Sequence, residues 1–458
     1  MVIDKKVDMK SVRGRIERFI DLARDKVMRL AKRWDPSNGS PVFTRAGKYA
    51  ARGWTDWTQG FQFGCQILLF DATGDAAYLA MGRQNTLRFM PPHVSHIGVH
   101  DHGFNTLSTY GNLRRLAREG RSSDEAAHVE LYELAIKVSG AVQAARWTQL
   151  NDGSGFIYSF NGPHSLFCDT IRTCRVLILA HQLGHYLMGE NDRKVSLLDR
   201  AVQHAANTAR YNVYYGEGRD LYDARGRVAH ESLFNVVDGV YRCPSTQQGY
   251  SPFTTWTRGL AWIILGYAEL IESLDAIPEA DLSRHNGRDA VKQWMLRAAV
   301  AASDYYLAHT PSDGIPYWDT GAPGLIHLAH WTEQPAQPDN PYEPVDSSAA
   351  AIAAQGLLRL GHVLGKQRKG SRYYRAGLAI AGTLFSPPYL SEQRNHEGLI
   401  LHSVYHRPRN WDYVPRGKRI PYGEASMWGD YHALELAVYL LREAQGRPYL
   451  AFHDPQDS

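Results

Sequence analysis

Two aspartates stand in surroundings suited to acid–base chemistry. Asp169 lies in Phe-Cys-Asp-Thr-Ile, with apolar neighbours before it and a Val-, Leu- and Ile-rich segment after it. Desolvation in such a setting disfavours the carboxylate and raises the pKa, which is the state a general acid needs. An Asp followed by Thr is equally a helix N-cap, and the local sequence leaves both roles open. Asp101 sits in His100-Asp101-His102-Gly103-Phe104. Its two imidazoles lie two residues apart and no HExxH or His/Cys set completes a metal site, so no metal and no cofactor is expected. Asp101 is read either as a carboxylate that binds substrate hydroxyls and helps hold a second carboxyl protonated, or as a turn-forming loop residue. Arg258, in Trp-Thr-Arg-Gly-Leu-Ala-Trp, offers a fork for an acidic substrate or a cation stacked between indoles.

Other chemistries find no support. No Gly-rich fragment is followed by GK[ST], and there is no Gly-x-Ser-x-Gly elbow. A formal net charge of +4 over 458 residues gives no reason to expect a nucleic-acid or polybasic membrane partner. The longest apolar stretches, such as Val176–Ala180 and Ala349–Ala354, fall far short of a membrane span. Four cysteines without CxxC spacing, and an N-terminal segment without an apolar signal core, read as a reduced, cytoplasmic protein. Eleven Trp and 26 Tyr, many in polar, Gly-containing contexts, suit stacking on sugar rings, although a large helical core also uses them.

The elements that must position these residues read as helices. Val12–Lys32, Asp124–Gln143, Val195–Tyr211, Asp289–His309, Ala349–Val363, Tyr373–Leu384 and Tyr431–Glu443 repeat apolar residues at three- and four-residue intervals. Only Gly398–Tyr405 and Gly155–Phe160 read as short strands. No Pro/Gly/Ser-rich linker divides the chain, so a single domain over 1–458 is expected. Six short motifs each lead into a helix with small residues: Trp57–Gly60, His100–Phe104, Cys168–Thr170, Trp256–Trp262, Val345–Ala350 and Trp428–Tyr431. The later ones recur at a spacing of roughly two helices with their loops, as six helical hairpins closing into a ring would produce.

Taken in order, these motifs give the chain a resemblance. It resembles glycoside hydrolase family 88, the unsaturated glucuronyl hydrolases, and more distantly the unsaturated rhamnogalacturonyl hydrolases, from about residue 53 to 443. The series is Trp57-Thr-Gln-Gly-Phe61, His100-Asp-His-Gly-Phe104, Asp169, Trp256-Thr-Arg-Gly259 with Trp262, Ile315-Pro-Tyr-Trp-Asp319, Asp346–Ala351 and Trp428-Gly-Asp-Tyr431. The resemblance implies an all-α fold, a single (α/α)6 barrel with a few loop strands and the site at one end. It implies a uronic-acid-containing oligosaccharide left by a lyase as substrate. In that family a carboxylic acid protonates carbon 4 of the unsaturated sugar and then deprotonates the water that attacks carbon 5. Asp169 and Asp101 match the essential pair. Trp57, Trp262, His100, His230, Gln248 and Arg258 match substrate-binding positions. The chain departs from the pattern at Gln247, where the family has His, at His102, at Leu260, and at Arg172 and Arg175, which place cations near the acid. Arg172 is therefore expected to bind an anionic group of the substrate, and a glucuronidase, lyase or epimerase on the same toroid is the alternative reading.

Overall fold

The computed structural model describes residues 1–53, 56–448 and 450–453. Its helices divide by composition into two sets. Thr257–Ser273 and Ser347–Val363 are buried on nearly every side, as a helix apolar or small all round must be. Met9–Arg33 instead buries a single stripe of Val12, Ile16, Phe19, Ile20, Ala23, Val27 and Leu30, the three- and four-residue spacing of a helix with one wet face.

Among the described residues, the buried set forms a closed cycle of neighbours. Gln59–Thr73 packs on the 102–118 segment, which packs on Thr170–Thr173 and Arg175–Gln182. These pack on Thr257–Ser273, followed by Ser347–Val363 and Met427–Ala444, which returns to Gln59–Thr73. Each of the six motifs singled out in the sequence lies at the start of one of these segments. A second set covers them from outside. Ala76–Phe89, Ala126–Ala145, Leu197–Tyr211, Arg288–Ala308 and Ser371–Leu384 lie on successive members of the cycle, and Met9–Arg33 packs on Met427–Ala444. One apolar cluster runs through both sets, and a small satellite of Leu150, Phe156, Leu166, Tyr211 and Phe234 lies apart from it.

The expected helices are all present, most extended by one to four residues at an end. The strands are antiparallel and short. Gly155–Ile157 pairs with Trp147–Gln149, and Ser165–Phe167, Glu231–Phe234 and Tyr241–Ser245 form a three-stranded sheet. The expected strand at Gly398–Tyr405 is not one. Its amides are taken one by one by separated acceptors: Leu399 and Ile400 donate to the Asp430 carboxylate, Leu401 to the Tyr389 carbonyl and Ser403 to the Glu424 carbonyl. A ladder needs a continuous partner strand, and only the single bridge between Leu390 and Ile400 forms.

The 102–118 segment carries a π turn at Leu107–Gly111. The Ser108 and Thr109 hydroxyls and the Asn112 amide bond back to the carbonyls of Phe104, Asn105 and Ser108, a competition that commonly loosens a helix. Two glycines set how closely the cycle closes near its motif-bearing end. A Cβ on Gly103 would stand 2.3 Å from the Thr173 carbonyl oxygen, and one on Gly266 would stand 2.9 Å from the Arg172 amide nitrogen. Gly103 thus lets the segment after Asp101 touch the segment after Asp169. Gly103→Ala is expected to destabilise the fold by about 1–3 kcal/mol through overpacking. Denaturant unfolding should show a lowered midpoint with an unchanged m-value.

Candidate active site

The described residues enclose a cavity of about 480 Å³ at the motif-bearing end of the cycle. Aromatic rings form most of its wall, with Trp57, Phe104, Phe160, Trp256, Trp262, Tyr405 and Trp411 on its lining. Asp101 and Asp169 lie on the same lining.

Asp169 follows the strand Ser165–Phe167 and precedes the turn Thr170–Thr173. It occupies the N-cap position, but its side chain makes no capping hydrogen bond. The same holds for Asp101 at the start of His102–Thr106. The capping role that the sequence leaves open for Asp169 is therefore not what its carboxylate does. Both are buried, and the His100 ring lies between them. Its Nε2 stands 3.7 Å from an Asp101 oxygen and 3.8 Å from an Asp169 oxygen. These are ion-pair distances, longer than a hydrogen bond.

The two acids differ. Burial raises the Asp101 carboxyl and Asp169 raises it further, outweighing the opposing His100, so Asp101 sits above the usual range. Burial also pushes Asp169 up, but the His100 and His230 imidazoles outweigh it, and Asp169 sits below the usual range. The sequence predicts the reverse for Asp169 from its apolar neighbours. The correction comes from imidazoles brought in by other segments.

Arg258 lines the cavity, but its fork is engaged. One terminal nitrogen donates to Asp346 at 2.7 Å and to the Val404 carbonyl. The other donates to Gln248 Oε1 at 2.9 Å and the Tyr405 carbonyl at 2.8 Å. The guanidinium also lies over the Trp256 and Trp428 rings. It ties three wall segments together, and the expected carboxylate fork for a substrate is not free. Because Arg258 takes the Gln248 carbonyl, Gln248 is left with its amide N–H groups to offer the cavity.

His230 is not on the cavity lining. Its ring packs on Phe167 and Trp256, and Nδ1 accepts from the Gln247 and Gln248 amides at 3.0 and 3.3 Å. Placed as a substrate contact by sequence, it acts as a support for the Gln248 loop. His102 is likewise structural. It bonds Ser139 and the His96 carbonyl, each at 2.8 Å, and burial pushes its pKa down to about 4.

Arg172 is the largest correction. It lies behind the cavity, fully buried, with Nε and Nη2 on the two Glu269 oxygens at 3.0 and 3.1 Å. Nη2 also reaches Glu435 at 2.7 Å, and Nη1 meets His432. Arg175 joins Glu269 at 2.9 Å. Neither lines the cavity. A bidentate, buried pairing leaves no anion-binding function for Arg172. Sequence reading missed the 405–411 loop, which puts Tyr405, His406, Arg409 and Trp411 on the lining. Its Tyr-His-Arg-Pro-Arg-Asn-Trp composition was the available signal. Burial, with Arg409 and Arg258 nearby, pushes the His406 pKa down to about 3, so that ring is neutral. No group of three or more His, Cys, Asp or Glu among the described residues could hold a metal ion.

No family model matches the chain. It is 25% identical over 382 residues to an unsaturated glucuronyl hydrolase of Formosa agariphila, covering 83% of this chain and 78% of that protein. It is 25% identical over 433 residues to an unsaturated chondroitin disaccharide hydrolase of Streptococcus pyogenes, covering 93% and 92%. The fold matches the crystal structure of an unsaturated glucuronyl hydrolase from Bacillus sp. GL1 with a TM-score of 0.70 and 23% identity, covering 98% of this chain and 100% of that one. The resemblance read from the motif series is borne out: the chain is similar to unsaturated glucuronyl hydrolases over most of its length, at about 25% identity.

Replacing Arg172 separates its structural role from substrate binding. Arg172→Ala should cost about 3–5 kcal/mol, the usual penalty for stranding a buried partner. Thermal and denaturant unfolding would register it. A variant of unchanged stability with weakened substrate affinity would contradict the structural role.

Proposed function

We propose that this cavity hydrates the 4,5 double bond of a terminal unsaturated uronic acid and so releases that sugar from a lyase-generated oligosaccharide. The observation that carries the reading is the pair of buried carboxylates, uncommitted to helix caps, on one aromatic-walled cavity. The likeness to unsaturated glucuronyl hydrolases over most of the chain supports it.

The substrate's 4,5 bond is an enol ether. Asp169, in its acid form, protonates carbon 4. The cation that develops at carbon 5 is shared with the ring oxygen, and the Asp169 carboxylate then removes a proton from the water that adds there. The product is a hemiketal at carbon 5, which opens and expels the remaining sugar. No bond between sugar and enzyme is needed, so the spacing rule that separates inverting from retaining glycosidases does not apply. Asp101 keeps a second, less acidic carboxyl beside Asp169, suited to a hydrogen bond with a sugar hydroxyl. Trp57 and Trp262 supply flat apolar faces for the ring, and Gln248 presents amide donors.

We assign residues 1–458 to one catalytic unit of the (α/α)6-barrel type, because the inner cycle is closed and an outer helix lies against each of its members. The free thiols of Cys65, Cys168, Cys174 and Cys243 favour a reducing, cytoplasmic setting. The lyase alternative loses ground. His164, His230 and Tyr250, the residues that could serve it, are all absent from the cavity lining.

An unsaturated glucuronyl disaccharide carries a near-ultraviolet absorbance from its conjugated enol carboxylate. The enzyme is expected to remove that absorbance, and Asp169→Asn to slow the loss by about 10²–10⁴-fold. No loss with the wild-type protein, or an equal rate in Asp169→Asn, would overturn the reading. A gain of the same absorbance on a uronic-acid polymer would identify a lyase.

A further inference from the structure

The proposed reaction asks Asp169 to begin as an acid, yet its surroundings favour the carboxylate. Something close by must hold the proton until substrate arrives. The His100 ring is placed for it. It is buried, stacked on Phe160 at 6.0 Å and set edge-on to Phe167 at 5.6 Å. Neither ring nitrogen has a hydrogen-bond partner within the protein. A buried imidazole with two unpartnered nitrogens is an uncommon and costly arrangement for a purely structural residue. Its Nε2 faces the oxygens of both acids, and one Asp169 oxygen, Oδ1, is itself buried without a partner.

We propose that His100 is the positioning residue that stores the reaction's proton, handing it from Nε2 to Asp169 when substrate binds and recovering one after water has added. The proposal rests on the hydration reading above. The steps balance. The Nε2–H bond breaks as the Asp169 O–H bond forms, leaving a neutral ring. That O–H bond breaks as the carbon 4–hydrogen bond forms. The water oxygen bonds to carbon 5 and its proton passes to the Asp169 carboxylate, then back to Nε2. One water is consumed and no proton is gained or lost. Closing the 3.8 Å contact to a charge-assisted hydrogen bond of about 2.8 Å is the only movement the transfer requires.

The charges around the ring agree. Burial disfavours the imidazolium, but Asp101 and Asp169 outweigh it and raise the His100 pKa, with Arg146 opposing. Arg146, which follows the Ala126–Ala145 helix, spends its donors on the Ile97, Tyr158 and Ser159 carbonyls. His204, from Leu197–Tyr211, is pushed down to about 3 by burial and is neutral. Burial also lowers His230, beside the strand Glu231–Phe234. The two aspartates are therefore the dominant partners. The proton is present below the His100 pKa and lost above it, so His100 governs the high-pH limb of the rate profile.

Ring nitrogen chemical shifts of histidine-labelled protein test this without substrate, with the His100 signals assigned through contacts to Phe160 and Phe167. At about pH 6.5, the ordinary histidine midpoint, His100 should be mostly imidazolium, and Asp169→Asn should move its titration to lower pH. In the absorbance assay, His100→Gln should lower kcat by about 10²-fold with little change in KM, and move the high-pH limb of kcat/KM to lower pH. A His100 ring already neutral at pH 6.5 overturns the proposal, as does a high-pH limb that stays in place in His100→Gln. If that variant does not fold, the ring titrations of the wild type and Asp169→Asn decide alone. Wild-type protein that leaves the disaccharide untouched overturns the hydration reading, while the ring titration still reports on His100.

Discussion

Behind the cavity, where four of the inner segments converge, guanidiniums and carboxylates are buried together. Arg172, Arg175 and Arg359 face Glu269, Glu435 and Glu272, with Arg172 bidentate on Glu269 and Arg359 reaching Glu272 through one terminal nitrogen. Burying any one of these charges alone would cost several kcal/mol. The group is tolerable only because every charge has an opposite within reach, and each pairing joins different helices. Thr170–Thr173, Thr257–Ser273, Ser347–Val363 and Met427–Ala444 are held in mutual register by it. A core of small residues can let these helices approach, but it cannot say which rotation about each axis is correct. A network of forks on carboxylates can.

That network also sets the electrostatics of the floor above it. Trp262 lines the cavity with Arg172 beneath its ring at 5.8 Å and His432 edge-on at 4.9 Å. Because Glu269 and Glu435 neutralise the cation, Asp169 is governed by the two imidazoles instead. The cavity thus holds a separated pair of acids, one raised and one lowered, although both are aspartates with similar burial. Environments that push two like groups apart are how acid and base roles are divided.

Much of this is legible in the amino-acid sequence. The six motifs carried the inner cycle, because each combines a polar or aromatic start with small residues, a pattern local enough to read. The pair Asp101 and Asp169 was legible only through that series, since each alone reads as a turn or cap residue. What failed shares one physical cause. The partners of Arg172 lie about a hundred and about 260 positions away, and those of Arg258 lie up to 147 away, so no local pattern tells a paired guanidinium from a free one. The 398–405 stretch has the composition of a strand, but Asp430 and Glu424 supply its acceptors from elsewhere in the chain. Strand propensity cannot know that its ladder is already occupied.

The supporting residues also fix which hydrogens face the chemistry. His230 Nδ1 accepts two backbone amides, which places the neutral ring's hydrogen on Nε2, and that atom has no protein partner. Asp169 Oδ1, both nitrogens of His100 and Nδ1 of His406 are also buried without partners. Each such atom costs about 1–3 kcal/mol relative to a satisfied one. The unpartnered atoms in and just behind the cavity wall carry a penalty that a hydroxyl-rich ligand and its attacking water can remove on binding. The binding energy recovered is then available where bonds change, and a well-packed apolar pocket of the same size would have none to release.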